Sequence, residues 1–304
     1  MFTLFKRFFF FLLTNFAILL LLSLVLMVVN IFFPGLISQY GDISSLLIFA
    51  LIFGFGGSFI SLFLSKWSAK KFHNIVLLDA KSASSDPKLQ LVWDTVERIS
   101  QMNHITMPEV GYYESQDPNA FATGSSKNNS LVAVSTGLLD FMDKKEIEGV
   151  IGHEMAHILN GDMVTLTLIQ GVMNTFVIFF SHLAARAVSG FLSQSDDEGQ
   201  GMGQFAYSMV SFLFQIVFGF LAMFVVMWFS RMREYRADIG GAQFTNKSSM
   251  VAGLKKLQSL SKKSQSPLDP QLAAFMINEP DSFFSTHPSL SNRIQALENN
   301  YQLN

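Results

Sequence analysis

Hydrophobic residues are concentrated in four long runs of this chain, and polar residues fill the segments between them. The runs cover residues 8–33, 43–64, 164–187 and 205–229. Each run reaches the roughly 20 residues that a helix needs to cross the hydrocarbon core of a bilayer. We therefore predict four transmembrane helices. For the third run an interfacial or protein-shielded helix is the alternative, because Ser181, His182 and Arg186 lie near its end.

Lysine and arginine residues beside these runs indicate the orientation of the chain. They precede the first run (Lys6, Arg7) and follow the second (Lys66, Lys70, Lys71) and the fourth (Arg231, Arg233, Arg236). Such clusters remain in the cytoplasm. Arg186 is the exception to this orientation, because it lies near the non-cytoplasmic end of the third run. Two membrane hairpins, residues 1–66 and 164–229, then leave residues 67–163 and 230–304 on the cytoplasmic side. We expect these two segments to form a single split domain.

The polar segment between the second and third runs has the local patterns of a small α+β domain. Residues 87–101 place apolar side chains at helical spacing, which predicts an amphipathic helix. Residues 109–113 are typical of a short strand, and residues 119–135 have apolar ends around turn-forming residues, which is typical of a β-hairpin. The predicted fold class is therefore an α-rich α+β integral membrane protein with a small β-sheet.

Composition supports a membrane protein and restricts the chemistry. The chain is 50% hydrophobic and only 14% charged, whereas about a quarter of the residues in a typical soluble domain are charged. Its net charge of −2 shows no basic excess, which argues against nucleic acid as a partner. Because the chain contains no cysteine, a transition metal would have to bind to histidine and carboxylate side chains.

The segment His153-Glu154-Met155-Ala156-His157 is the clearest chemical motif. Four residues are slightly more than one helical turn, so the two imidazoles project from one helix face and can hold a zinc ion. Glu154 lies beside them, where it can activate the hydrolytic water. Capping residues at Asp143 and Glu146 and a stop at Gly161 favour a helix with two defined ends. The alternative is an accidental match, because this short pattern also arises by chance.

A catalytic zinc site needs a third protein ligand, and Glu234 is the best candidate. It follows the fourth run directly and lies one helical turn before Asp238. The two histidines precede the third run, so a membrane hairpin would return Glu234 to the same side and depth as the histidines. One carboxylate could then bind the metal while the other orients an imidazole. The alternative is a juxtamembrane charge cluster of mixed sign.

Several motifs occur in a fixed order along the chain. Two hydrophobic runs are followed by HEMAH, two further runs and SRMREYRAD, and the chain also contains Asn119-Ala120-Phe121-Ala122 and His287-Pro288. In these motifs the chain resembles the HtpX membrane metalloproteases, relatives of the CAAX prenyl proteases, over nearly its entire length. The resemblance implies a split cytoplasmic gluzincin-type metalloprotease domain with one Zn²⁺ per chain, in a multi-pass protein of the bacterial plasma (inner) membrane. It also implies hydrolysis of misfolded or selected membrane proteins in quality control and the stress response.

The resemblance implies roles for residues outside the metal motif. His287 would stabilise the oxyanion of the tetrahedral intermediate or bind substrate, with Arg293 nearby as a substrate-binding residue. The alternative for His287 is a surface turn residue before proline. The motif Asn119-Ala120-Phe121-Ala122 would form the edge to which an extended substrate adds as a strand, and an ordinary hairpin strand is the alternative.

Two aspartates complete the candidate site residues. Asp162 and Asp238 would orient the zinc-binding imidazoles, with a helix cap or a solvent-facing charge as the alternative. We assign no role to residues 262–285 or to the histidines His73, His104 and His182. The expected partners are unfolded or membrane protein substrates and the lipid bilayer. There are two alternative functions: an intramembrane site-cleaving zinc protease, and a catalytically silent scaffold or holdase. The first would need an aspartate motif inside a later span, but residues 205–229 contain no acidic residue.

Overall fold

Helices dominate the part of the chain that the computed structural model describes, which comprises residues 43–193, 203–263 and 287–299. In chain order the helices are α1 (Ile43–Phe72), α2 (Ala80–Ala83), α3 (Pro87–Met102), α4 (Thr136–Phe141), α5 (Lys144–Asn160), α6 (Asp162–Ser193), α7 (Gln204–Phe244), α8 (Lys247–Lys263) and α9 (Leu290–Glu298). The helix predicted at residues 87–101 is confirmed as α3. The first hydrophobic run, residues 8–33, lies outside the described residues.

Four strands form a mixed sheet beside these helices. They are β1 (Val76–Leu77), β2 (Glu109–Tyr113), β3 (Ala120–Ser126) and β4 (Asn129–Ser135), in the spatial order β1-β2-β4-β3. Strand β4 pairs parallel with β2 and antiparallel with β3. The predicted strand and hairpin are therefore confirmed, whereas β1 was not predicted. Strand β3 lies at one edge of the sheet, so its outer backbone groups face no further strand among the described residues.

The described residues divide into two compact units. The first takes its described residues from Met1–Ile60 and Thr167–Val226, and the second takes them from Ser61–Leu166 and Met227–Asn304. Each boundary falls inside a long helix, so α1, α6 and α7 carry the chain from one unit into the other. The sheet and all of the candidate site residues belong to the second unit.

Three of the described helices, α1, α6 and α7, are long and apolar enough to cross a membrane. Within the first unit, α1 approaches α6 so closely at Gly54 that an added Cβ would lie 2.5 Å from the backbone nitrogen of Thr175. Between α6 and α7, the Nδ1 atom of His182 lies 3.2 Å from the hydroxyl oxygen of Tyr207. This contact gives His182 a structural partner within its own unit.

The core of the second unit is formed by α3, α5 and one face of the sheet. Its fully buried members include Val92, Val96 and Ile99 of α3, Val132 and Val134 of β4, and Ile147, Ile151, Met155 and Ile158 of α5. Burial of one large apolar side chain contributes about 1.5–3 kcal/mol relative to its exposure. This core fixes α5 against the sheet.

Both ends of α5 are defined by the sequence. The backbone amide of Glu146 donates to the Asp143 carboxylate at 2.9 Å, and the backbone amide of Asp143 donates to the Glu146 carboxylate at 2.8 Å. Gly161 ends the helix in the left-handed conformation, with φ of 70°, which a residue without a Cβ adopts at little cost. The predicted capping residues and stop are thus confirmed.

Glycines allow α5 to cross α7 and α8 at short distances. A Cβ added to Gly241 of α7 would lie 2.9 Å from the backbone nitrogen of His153, and one added to Gly152 of α5 would lie 3.0 Å from the carbonyl oxygen of Gly241. A Cβ added to Gly149 would collide with the carbonyl group of Ser249 in α8. The backbone of α7 therefore lies directly against the helix that carries the HExxH motif.

We expect the substitution Gly241→Ala to force α5 and α7 apart. Overpacking of this kind typically lowers stability by about 1–3 kcal/mol, and metal binding should weaken too, because the candidate ligands come from these two helices. Thermal unfolding and metal titration of the full chain in detergent measure both effects. The matched control is Gly190→Ala, because an added Cβ there meets no atom within 4 Å. Equal stability and metal affinity in the two variants would contradict the close crossing.

The short helix α9 is held in place by α8. Leu290, Ile294 and Leu297 pack against Met250 and Leu254 in a separate buried cluster. At the end of α9, Lys255 forms an ion pair with Glu298 at 2.7 Å. This packing leaves Arg293 of α9 almost fully buried, with an exposed fraction of 3%.

Candidate metal centre

Two helices of the second unit bring three potential metal ligands together. His153 and His157 lie one turn apart on α5, and Glu234 lies on α7 with an exposed fraction of only 1%. The Nε2 atoms of the two histidines are 3.1 Å apart, and each lies 3.4 Å from one oxygen of the Glu234 carboxylate. The structure thus assembles the three residues predicted as ligands into a group that can hold a metal ion.

The spacing of these atoms fits a tetrahedral zinc site. Zinc binds nitrogen and oxygen at about 2.0–2.2 Å, so two ligand atoms at a tetrahedral angle lie roughly 3.3–3.5 Å apart. The 3.1 Å between the two Nε2 atoms and the 3.4 Å from each Nε2 to a different oxygen of Glu234 are close to this value. The buried Oε1 atom of Glu234 accepts no hydrogen bond, and a metal ion would satisfy it. Two imidazoles and one carboxylate form a common ligand set for catalytic zinc.

Carboxylates lie behind both imidazoles. The Oδ1 atom of Asp238 is 2.9 Å from Nδ1 of His153, and the Oδ2 atom of Asp162 is 2.6 Å from Nδ1 of His157. Each contact favours a proton on Nδ1 and leaves the lone pair of Nε2 available to a metal. Both aspartates are buried, whereas aspartates that only carry surface charge are exposed to solvent.

The negative charge around the imidazoles favours a bound cation. Burial lowers the pKa of His157, but contacts with the carboxylates of Asp162 and Glu234 outweigh burial and raise this pKa to about 9. Burial and the charge of Arg293 also lower the pKa of His153, but contacts with Asp238 and Glu234 raise it overall. The carboxylates therefore stabilise positive charge at the imidazoles, supplied either by protons or by a metal ion.

Arg293 connects the metal ligands to the carboxylate behind them. Its Nε and Nη2 atoms donate to the two oxygens of Asp238 at 2.8 and 2.6 Å. Its Nη1 atom lies 3.4 Å from Oε2 of Glu234. The guanidinium is thus enclosed between two carboxylates that themselves contact His153, and it presents almost no surface to solvent.

Two predicted catalytic residues lie next to the ligands. His287 is more open than the ligands, with 38% of its side chain exposed, and its Nδ1 atom is 3.2 Å from Oε2 of Glu234. Glu154 is half-buried and follows His153 on α5. Both side chains are therefore accessible from solvent while the ligands are buried.

The motif predicted to bind substrate lies at the edge of the sheet. Asn119 directly precedes β3, and its backbone amide donates to Oγ of Ser135 at 2.9 Å. Ala120 and Ala122 pack against the core. Because side chains alternate along a strand, Phe121 points to the opposite face of the sheet. Strand β3 also packs against α5, so the open edge runs beside the helix that carries His153 and His157.

Tyr113 is a residue near this edge that sequence reasoning missed. Its ring lies 5.8 Å from the ring of Phe121. Burial, together with the charges of nearby carboxylates that include Glu154, raises the pKa of Tyr113 to about 12. The phenol therefore stays neutral at physiological pH. The sequence signal that could have identified Tyr113 was its position at the end of the predicted strand 109–113.

Comparison with known proteins agrees with this geometry. Residues 85–301 match peptidase family M48. The chain is 47% identical to Protease HtpX of Shewanella oneidensis over 296 residues, which cover 96% of this chain and 99% of that protein. It is 47% identical to Protease HtpX of Tolumonas auensis over 295 residues, which cover 96% of this chain and 98% of that protein.

A solved structure shares the fold. The crystal structure of S. mikatae Ste24p matches with a TM-score of 0.63 at 16% sequence identity, and the match covers 96% of this chain and 67% of that chain. Proteases of family M48 depend on zinc, and the His153, His157 and Glu234 group is positioned to bind it. With its apolar helices, the protein is a membrane-bound zinc protease of protein quality control. The chain belongs to peptidase family M48, among the HtpX proteases.

Proposed function

We propose that His153, His157 and Glu234 are the zinc ligands of this protease and that Glu154 is its general base. The observation that carries this proposal is that one ligand atom from each residue lies within 4.8 Å of the other two, with the two Nε2 atoms 3.1 Å apart and each 3.4 Å from a different oxygen of Glu234. The carboxylates of Asp162 and Asp238 support it, because each contacts the far nitrogen of one imidazole. Outer partners of this kind fix the ring orientation of metal-binding histidines.

The residues around the ligands supply the remaining steps of peptide hydrolysis. When bound, zinc acts as a Lewis acid that polarises the scissile carbonyl and acidifies water. Glu154 takes a proton from the attacking water and later passes a proton to the leaving amine. His287 donates a hydrogen bond to the oxyanion of the tetrahedral intermediate. Its partial exposure beside Glu234 supports this role.

For Arg293 the burial supports a positioning role rather than the expected substrate contact. Its guanidinium is enclosed and makes two short hydrogen bonds with Asp238. Two buried carboxylates beside each other need a compensating positive charge. We therefore propose that Arg293 holds Asp238 against His153 and neutralises part of the charge of the site.

The open edge of β3 is the proposed binding site for an extended substrate. Backbone hydrogen bonds to an added strand give affinity with little sequence preference, which suits an enzyme that acts on unfolded proteins. The hydrogen bond from the backbone amide of Asn119 to Oγ of Ser135 supports this proposal because it fixes the start of the strand. The proposed substrates are unfolded or selected membrane proteins.

The proposed topology has four membrane spans, made by hairpins at residues 1–66 and 164–229. The protease domain, residues 67–163 and 230–304, would face the cytoplasm of a bacterial inner membrane. The distribution of lysine and arginine supports this orientation. The proposed third ligand, Glu234, lies beyond the apolar part of α7, which favours a site at the membrane surface over the intramembrane site-cleaving alternative.

Removal of the metal tests the proposed function. We expect the purified full chain to cleave an unfolded membrane protein, to lose this activity when a chelator removes zinc, and to recover it when zinc is returned. Gel analysis of cleavage products at matched detergent concentration measures the effect. Cleavage that continues after zinc has been removed completely would contradict a zinc-dependent site.

A further inference from the structure

An aromatic cluster lies on the face of β3 that is opposite to the core. The ring of His73 is 5.4 Å from the rings of both Tyr113 and Phe121, which are 5.8 Å from each other, and the three interplanar angles are 52°, 48° and 46°. Tyr113 is buried, Phe121 is half-buried and His73 is exposed. The accessible surface of the cluster therefore belongs mainly to His73 and Phe121.

The end of α1 holds His73 beside the edge strand. Lys66 and Lys70 of α1 both form ion pairs with Glu109 of β2. Directly after His73, Asn74 adopts a left-handed conformation with φ of 49°, which asparagine tolerates better than most residues. This residue turns the chain from α1 into β1. The ion pairs and this turn thus hold the imidazole of His73 against the sheet.

A cavity on α1 adjoins the aromatic cluster. It has a volume of about 300 Å³ and is lined by Ser61, Ser65, Ser68, Ala69, Phe72 and His73. All of these residues lie on the last turns of α1 or directly after it, so this cavity is a shallow depression on one helix face that is open to solvent. His73 belongs to both the cavity and the cluster, so the two adjoin at its ring.

We propose that His73, Phe121 and this cavity form a subsite that selects an aromatic side chain of the substrate. The inference rests on the proposed addition of substrate to β3. Because side chains of an added strand alternate between the two faces of a sheet, every second residue would point toward His73 and Phe121. Aromatic rings favour tilted or offset contacts with centroids about 4.5–7 Å apart, and tilted rings already surround this position.

The expected substrates provide such side chains. Trp and Tyr are enriched in membrane proteins at the boundary between the bilayer and water. Both have an apolar ring and a polar end, and the serine hydroxyls in the cavity wall suit the polar end. We therefore expect Tyr and Trp to be preferred over aliphatic residues of similar size.

A series of fluorogenic peptides tests the subsite. The peptides carry Tyr, Trp, Leu or Ala at one position, which is scanned along both sides of the cleaved bond, and the full chain is assayed with zinc in detergent. We expect kcat/KM to favour Tyr and Trp over Ala about tenfold at one position. His73→Ala should lower kcat/KM more for the Tyr and Trp peptides than for the Ala peptides and so remove this preference, and His73→Phe should retain it. The control is His104→Asn, which changes an exposed histidine outside the cluster.

The outcomes separate the subsite from the proposed function. Equal loss of activity on all peptides in His73→Ala would show that the ring only supports the fold, and it would overturn the subsite. A wild-type enzyme that cleaves all peptides equally would also overturn it, while the zinc site would stand. If the wild type cleaved none of the peptides and no unfolded membrane protein either, the proposed function itself would fail.

Discussion

The substitution Glu154→Gln is expected to remove most peptide hydrolysis and to leave zinc bound. Glutamine has nearly the shape of glutamate, but it cannot accept a proton from water. A positioned general base contributes about 10²–10⁴-fold to the rate, so kcat should fall by a factor in this range. Because Glu154 is not one of the three grouped ligands, the variant should still contain one zinc ion per chain.

Zinc content and cleavage have to be measured on the same preparation. Elemental analysis gives the zinc content, and the initial rate on an unfolded membrane protein gives the activity. Glu148→Gln is the matched control, because it makes the same change on the same helix, away from the ligands. If the zinc-loaded Glu154→Gln variant retained full turnover, another group would have to act as the base.

The substitution Glu234→Ala is expected to empty the metal site. Loss of an outer carboxylate partner typically reduces metal affinity by 10–100-fold, so loss of a direct ligand should reduce it by more than about 100-fold. Glu234 also lies between His153, His157, His287 and Arg293. Its removal should therefore lower activity through zinc loss rather than through the chemical step.

A competition titration with a chromophoric zinc chelator measures this affinity in the full chain. Glu97 is an exposed glutamate of α3, so Glu97→Ala is the control for the loss of a carboxylate that does not bind the metal. Thermal unfolding without zinc shows whether the variant still folds. A folded Glu234→Ala variant that binds zinc as tightly as the control would exclude Glu234 as a ligand.

Much of the site was predictable because its residues lie on elements with strong local signals. The spacing of His153 and His157 needs only one helical turn, and the residues that cap α5 are visible in the sequence. The prediction that Glu234 follows on a helical extension of the fourth run is confirmed, because α7 is continuous from Gln204 to Phe244. Membrane topology thus supplied the long-range information that local patterns lack.

Other features depend on tertiary contacts that no local pattern encodes. Gly149, Gly152 and Gly241 are scattered in sequence, and only their close approach at the helix crossings explains why a side chain is excluded there. Strand β1 has two residues and, within the described residues, pairs with β2 alone, so its sequence carries no strand pattern. His73 had no assigned role because its neighbours, Tyr113 and Phe121, come from distant segments.

The environment of Arg293 was also not predictable. The family resemblance around His287 favoured a substrate contact for Arg293. The packing of α9 against α8 instead directs its guanidinium to Asp238. Only the pairing of two buried carboxylates with one arginine explains this burial.

Zinc K-edge X-ray absorption of the zinc-loaded full chain tests the proposed ligands most directly. We expect a coordination shell of nitrogen and oxygen atoms that includes two imidazoles, and we expect the same two imidazoles in the variant His287→Ala. The Glu234→Ala variant should bind too little zinc to give this spectrum. A shell with three imidazoles, or an unchanged shell in a zinc-loaded Glu234→Ala variant, would contradict a site formed by His153, His157 and Glu234.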